Sequence, residues 1–217
     1  MLVGVVTIPT GTASAATTLT TTVNGSSVSL TYDGEGTSAS PYQIDSLAKL
    51  QGMRADLSAH YQLVQDIDAS ATQGWNGGAG FDPVGDGGTA FTGNFDGKNH
   101  TISDLVIDRP TSNQIGLFGY VGGGVIDNVD IDAAEVAGRG IVAGLVGHNA
   151  GTVTNSSYTG NVSGTIAEVG GLVGHNAGII TDTYASGAVT GNSAVGGLVG
   201  RSSGTVDNSS ATGNVSG

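Results

Sequence analysis

Beyond residue 115, apolar and polar positions alternate in short runs, Thr152-Val153-Thr154 and Ile179-Ile180-Thr181 among them, and Gly, Asn or Ser cuts each run. Alternation at period two predicts strands buried on one face, and the cuts predict tight turns. The runs also return. Gly116-Leu117-Phe118-Gly119 is followed by Gly144-Leu145-Val146-Gly147, Gly171-Leu172-Val173-Gly174 and Gly197-Leu198-Val199-Gly200, at spacings of 28, 27 and 26 residues. The segments behind the last three boxes align without a gap. Val153, Ile180 and Val206 share one column, Val162, Val189 and Val215 another, and Asn155, Asp182 and Asn208 a third.

Columns of like residues at such a period have a simple physical meaning. Each repeat is one coil of a β-solenoid, and successive coils pair in parallel roughly 4.8 Å apart, so that like stacks on like. A helical repeat is excluded because each Gly would cost about 1 kcal/mol in a helix, and a propeller blade needs about 40 residues. Leu145, Leu172 and Leu198 are expected to form an inner column. Gly is expected at the corners because positive φ is open to it. Simple alternation then turns Phe118, Val146, Val173 and Val199 outward as an apolar stripe, a candidate contact surface.

The front half follows another pattern. Leu47, Leu50, Met53 and Leu57 predict a short helix over 45–57, with Asp45 as its N-cap. An open solenoid end exposes core and strand edges, so this helix is expected to cap it. Residues 70–90 are expected to be a long loop holding Trp75, with a turn at Asp96-Gly97 and a strand after it. The pairs Ile67-Asp68, Ile107-Asp108 and Ile131-Asp132 share one local context and are expected to stack. At the N-terminus, the apolar run Leu2 to Ile8 before Ala13-Ser14-Ala15 has the form of a clipped signal peptide over residues 1–15. The expected organisation is therefore 1–15 leader, 16–40 Thr/Gly-rich lead-in strands, 41–110 cap and first coils, and 111–217 repeats. Gly217 falls at the same phase as Gly164 and Gly191, so the repeats are expected to continue beyond it.

Charge narrows the partners. The chain carries 18 acids against 6 Lys and Arg, a net charge of −12. Nucleic acid and anionic membrane are poor partners for such a surface. This balance is shared by salt-adapted proteins and by secreted acidic ones. The absence of Cys excludes disulfides and thiolate metal sites. No segment is apolar over a length that spans a bilayer, so no membrane insertion is expected here.

The blocks PYQIDSLAKLQ, YQLVQDIDAS, FDPVG and FTGNFDGKNHTISDLVID, followed by the GLFG and GLVG boxes, resemble the GLUG-motif repeat proteins over roughly residues 33–217. The residues that carry the box are Gly116, Leu117, Gly119, Gly144, Leu145, Gly147, Gly171, Leu172, Gly174, Gly197, Leu198 and Gly200. The family comprises secreted or surface proteins of bacteria and archaea, including adhesin-like chains and the non-catalytic repeat region of some immunoglobulin-A-cleaving proteases. The resemblance implies an all-β, right-handed parallel β-helix at the cell surface or outside the cell. It implies no catalytic site.

Candidate chemistry is sparse. His148 and His175 occupy equivalent turn positions, and two stacked imidazoles are a possible metal pair; a solvated turn position is the simpler reading. Asp68, Asp108 and Asp132, once stacked, would repel, and Ca²⁺ would relieve them; Asp127 and Asp130 are read as solvated. Between Val142 and Gly217 the only charged residues are Glu168, Asp182, Arg201 and Asp207, too few and too scattered for the paired acids of a polysaccharide lyase or hydrolase. His100, Ser103 and Asp104 lack a nucleophile elbow. The Thr ladder of an ice-binding solenoid breaks at Ile179 and Asp207. No enzyme activity and no cofactor are expected. The expected function is an adhesin-like stalk or binding surface for a cell-surface or extracellular-matrix protein or glycan, the alternative being the passive repeat region of a larger surface enzyme. Six Asn-x-Ser/Thr sequons occur, at Asn24, Asn99, Asn155, Asn161, Asn208 and Asn214.

Overall fold

The structure, a computed structural model, describes residues 16–217; the expected leader over 1–15 lies outside the described residues. A β-hairpin of strands Ala16–Val23 and Ser26–Asp33 comes first, closed by Asn24-Gly25 with φ of 47° and 73°, the left-handed pair a two-residue hairpin turn requires. The rest is a parallel β-solenoid with three walls.

One coil gives the pattern. Strand Thr152–Thr154 lies in the first wall, Ser157–Gly164 and Ala167–Gly170 in the second, and Val173–Asn176 in the third. The first wall is a seven-stranded sheet, and its inward column runs Tyr42, Tyr61, Phe95, Ile126, Val153, Ile180, Val206 in unbroken parallel register. The second wall stacks Val136, Val162, Val189 and Val215. Leu117, Leu145 and Leu172 are fully buried, and Leu198 packs against the same core. The expected columns thus form.

Four expectations need correcting. The apolar stripe does not face outward: Phe118, Val146 and Val173 are 0% exposed. Alternation fails there because Leu117, Leu145 and Leu172 sit in the bend before the third-wall strand rather than in it, so bend residue and first strand residue both turn inward. Second, no glycine of the four boxes has positive φ. Positive φ is found instead at Asn128, Asn155, Asp182 and Asn208, with φ of 53°, 45°, 52° and 43°, and, as expected of glycine, at Gly160, Gly187 and Gly213, with φ of 143°, 125° and 118°. The second box glycine is needed for space instead. A Cβ on Gly147 would stand 2.7 Å from the Gly119 carbonyl oxygen and 2.8 Å from the Gln114 carbonyl carbon, and one on Gly174 would be 2.8 Å from the Gly147 oxygen and 2.9 Å from the Ile141 carbonyl carbon. Backbone crosses backbone at that point in every coil.

Third, the helix is shorter than expected. It spans Leu47–Gly52 and continues as a 3-10 turn, Met53–Ala55. Its N-cap is Ser46, one residue after Asp45, whose carboxylate instead takes the Lys49 ammonium at 2.8 Å. Leu50 and Met53 are fully buried. The hairpin covers this end jointly with the helix: Tyr32 donates to the Lys49 carbonyl at 2.8 Å, and its ring lies 5.3 Å from Tyr42.

Fourth, residues 70–90 are not simply a loop. Ser70–Gly78 is kinked 3-10 structure, and FDPVG forms one more corner. Val84 bridges Phe118, exchanging Val84 N–H to the Leu117 carbonyl and Gly119 N–H to the Val84 carbonyl, both at 2.9 Å. Phe81 and Val84 are fully buried. The third-wall column therefore reads Val84, Phe118, Val146, Val173, Val199.

Candidate functional site

The residues with chemistry are mostly engaged from coil to coil. Inside the third wall, Asn149 and Asn176 are fully buried. Asn149 Nδ2 donates to Asn176 Oδ1 at 2.8 Å, and Asn176 Nδ2 to the Ser202 hydroxyl at 3.2 Å. Their carbonyl oxygens also accept the N–H of Gly151 and Gly178 at 3.1 and 3.2 Å. The amides thus close the turn after each strand while linking the coils. The signal for this ladder was the repeated HNAG. Asn155 and Asn208, members of the third column in the sequence, are exposed turn residues that donate to Asp127 and Asp182 of the preceding coil, the second bond lying within the column.

On the outer side of the same wall stand Tyr120, His148, His175 and Arg201 in register. His148 and His175 stack with centroids 4.7 Å apart and planes 3° apart, and Tyr120 stacks on His148 at 4.6 Å. Parallel rings direct their nitrogen lone pairs side by side rather than toward one point, a poor geometry for one shared metal ion. Burial, and then the charge of His175, hold His148 below the ordinary imidazole range. Glu168 accepts from His175 Nδ1 at 3.0 Å and from Arg201 at 3.1 Å. Residues that looked scattered along the chain therefore meet as one cluster, with Glu168 at a left-handed kink, φ 62°, within the strand Ala167–Gly170.

The three aspartates expected to stack do not all share a column. Asp68 pairs with Ser103, and Ser103 with Asp132, while Asp108 stands opposite Ala137 in the next column. The shared Ile-Asp context misled because Ile102 and Ile107 both point inward, on either side of the bend at Asp104, φ 57°. A serine thus separates two carboxylates, and Asp132 accepts from Thr159 of the next coil. Asp130 and Glu135 do likewise with Ser157 at 2.6 Å and Asn161 at 2.7 Å, and Asp127 takes Asn155 and Asn128, each at 2.9 Å. Among the described residues no three His, Cys, Asp or Glu converge on one ion position. His100 pairs with Asp66 of the preceding coil at 3.1 Å, not with Ser103.

In the front half Asp82 lies between Arg54 and Arg109, beside a cleft that Asp86, Asn113 and Gln114 also line. Gln51 on the helix holds the Asp82 backbone at both ends, accepting its N–H at 2.9 Å and donating to its carbonyl at 2.8 Å. The guanidiniums are thus engaged by protein groups, and the arrangement fixes the extra corner against the helix.

Comparison with known proteins agrees with this geometry. Over 148 residues the chain is 44% identical to Halomucin of Haloquadratum walsbyi, covering 65% of this chain and 2% of that protein. Over 130 residues it is 38% identical to a Gly-rich membrane protein of Evansella cellulosilytica, covering 57% of this chain and 15% of the relative. The chain therefore spans a small part of either relative's length. No solved structure matches it. Residues 167–190 and 191–216 match the GLUG motif, and these two segments coincide with the last coils of the solenoid, so that this part of the chain is built of GLUG-motif repeats.

Proposed function

We propose that this chain is a rigid, non-catalytic β-solenoid segment of a secreted or surface protein, serving as an adhesin-like stalk that presents a binding surface to an extracellular protein or glycan. The observation that carries the reading is the register. One inward column runs through all seven strands of the first wall, and the polar groups are joined from coil to coil. Among the described residues no buried side-chain nitrogen or oxygen lacks a partner. Such a stack is stiff along its axis and has few groups left to rearrange around a substrate. The net charge of −12 keeps neighbouring chains apart in solution. Likeness to a membrane protein supports a surface-associated setting, and among the described residues no helix is long and apolar enough to cross a membrane.

Two measurements test it. Pulled from its ends, a stalk of this kind should extend in steps of about 9 nm, the extended length of one coil at roughly 3.5 Å per residue; a single unresolved rupture would contradict coil-by-coil rigidity. Beads coated with the folded chain should be retained on cell envelopes above the level of beads carrying an unfolded variant. Equal retention would remove the adhesive role. Release of peptides or reducing sugar ends from a substrate panel would overturn the non-catalytic reading.

A further inference from the structure

All six sequon asparagines are exposed, but the backbone divides them. Asn24, Asn99, Asn155 and Asn208 lie on left-handed turns, with φ between 43° and 59°. In the Asn155 triplet the middle residue is buried: Ser156 donates to the Thr154 carbonyl at 2.6 Å, and Ser157 is bound to Asp130. Asn161-Val162-Ser163 lies instead in the strand Ser157–Gly164, with Val162 buried and Asn161 and Ser163 exposed on either side. Extended backbone sends residues i and i+2 to the same face, so amide and hydroxyl stand together on the outside of the second wall. Asn214-Val215-Ser216 holds the same register two coils on, with Asn214 just before the strand Val215–Ser216 and Val215 exposed, because Val162, Val189 and Val215 are in register, as are Ser163, Thr190 and Ser216. The coil between them has Ala188 before Val189, a methyl group where its neighbours have amides.

The geometry points to Asn161 and Asn214 as sites of Asn-linked glycosylation, on a wall whose closest permitted spacing is alternate coils. Neighbouring coils are roughly 4.8 Å apart, narrower than a sugar ring with its hydroxyls, whereas alternate coils leave about twice that. The co-reactant is an oligosaccharide activated at its anomeric carbon as a lipid-linked phosphate ester. The Asn161 Nδ2 forms the new C–N bond, the anomeric C–O bond breaks, the lipid phosphate leaves with the electron pair, and one amide proton passes to a base of the transferase. The remaining N–H still reaches Glu135, to which Nδ2 donates at 2.7 Å.

Since the inference rests on the reading of an exported chain, the test imposes export. The full chain is given an export signal and a reporter sequon and is secreted from a host supplying a lipid-linked oligosaccharide of known mass with its transferase. Glycopeptide mass spectrometry should find the sugar at Asn161 and Asn214 and the turn positions Asn155 and Asn208 bare. Asn161→Gln and Ser163→Ala should each remove the first site and spare the second. Ala188→Asn creates an Asn-Val-Thr triplet on the intervening coil, and no folded chain should then carry sugar at all three positions. A modified reporter with both Asn161 and Asn214 bare would overturn the assignment, and triple occupancy in folded protein would overturn the spacing. Neither result bears on adhesion, which the bead measurement reads separately.

Discussion

The front and back of the solenoid reach the same register by different means. Successive members of the first-wall column are 19, 34 and 31 residues apart from Tyr42 to Ile126, then 27, 27 and 26 from Ile126 to Val206. The front interior is aromatic: Tyr42 and Tyr61 lie 5.4 Å apart, Phe91 and Phe118 5.1 Å, and Phe95 and Phe118 5.4 Å. The back interior is mostly Val, Ile and Leu. Unequal coils need specific contacts such as the Gln51 hold on Asp82. Equal coils need only fit copies of themselves. Register therefore does not depend on coil length; it depends on which residue turns inward and on how closely the backbones approach.

The sharpest way to break the back half is a buried charge. Ile180→Asp should cost several kcal/mol, because an unpaired carboxylate would sit in a fully buried column. The same change at Val206, 42% exposed in the same column, should cost far less. Urea unfolding of the two variants measures the contrast, and equal losses would mean that the column is not a continuous core. Next in size is Gly147→Ala, expected to cost about 1–3 kcal/mol because backbone on both sides has no room to give. A neutral result would show that the crossing can relax.

A pair of polar deletions should separate the halves. Asn149→Ala leaves Asn176 Oδ1 and the Gly151 N–H short of a partner, at about 1–3 kcal/mol. Gln51→Ala removes two bonds to Asp82, at about 1–2 kcal/mol. Hydrogen exchange should quicken around residues 149–180 in the first variant and around 81–85 in the second; loss spread evenly over both halves would deny the distinction. The smallest effect is electrostatic. His148 has a lowered folded-state pKa, so the unfolded chain takes the proton first. Its contribution to stability is complete above the unfolded value of about 6.5 and is lost as pH falls through the folded one. Urea midpoints should fall slightly between pH 7 and pH 5, and His148→Gln should reduce that fall.

Sequence legibility followed the same divide. Val153, Ile180 and Val206 could be aligned by eye because coils of nearly equal length place like residues at like phase. The FDPVG corner was hidden because it shares only its final Val-Gly with the boxes and is reached after an irregular stretch. Asp108 was assigned to the wrong column for a related reason: an extra bend at Asp104 puts two inward isoleucines within one coil, and a dipeptide cannot say which of them is in register. The direction of Val146 and Val173 was missed because a period-two rule holds along a strand and fails across a bend. The Glu168, His175 and Arg201 cluster was illegible for want of any local signal; it joins a left-handed kink in one strand to residues of two others.

The crossing at the second box glycine has a consequence for how such chains are inherited. Gly147, Gly174 and Gly200 each lie against backbone rather than against a particular side chain, so at that point a coil does not recognise which coil precedes it. A gene segment encoding one coil can be duplicated in tandem or lost by unequal recombination, and the joint it leaves is still glycine against main chain. In the back half the number of coils can therefore drift between generations while the cross-section stays the same. In the front half, a copied helix without its Asp82 would fit nowhere.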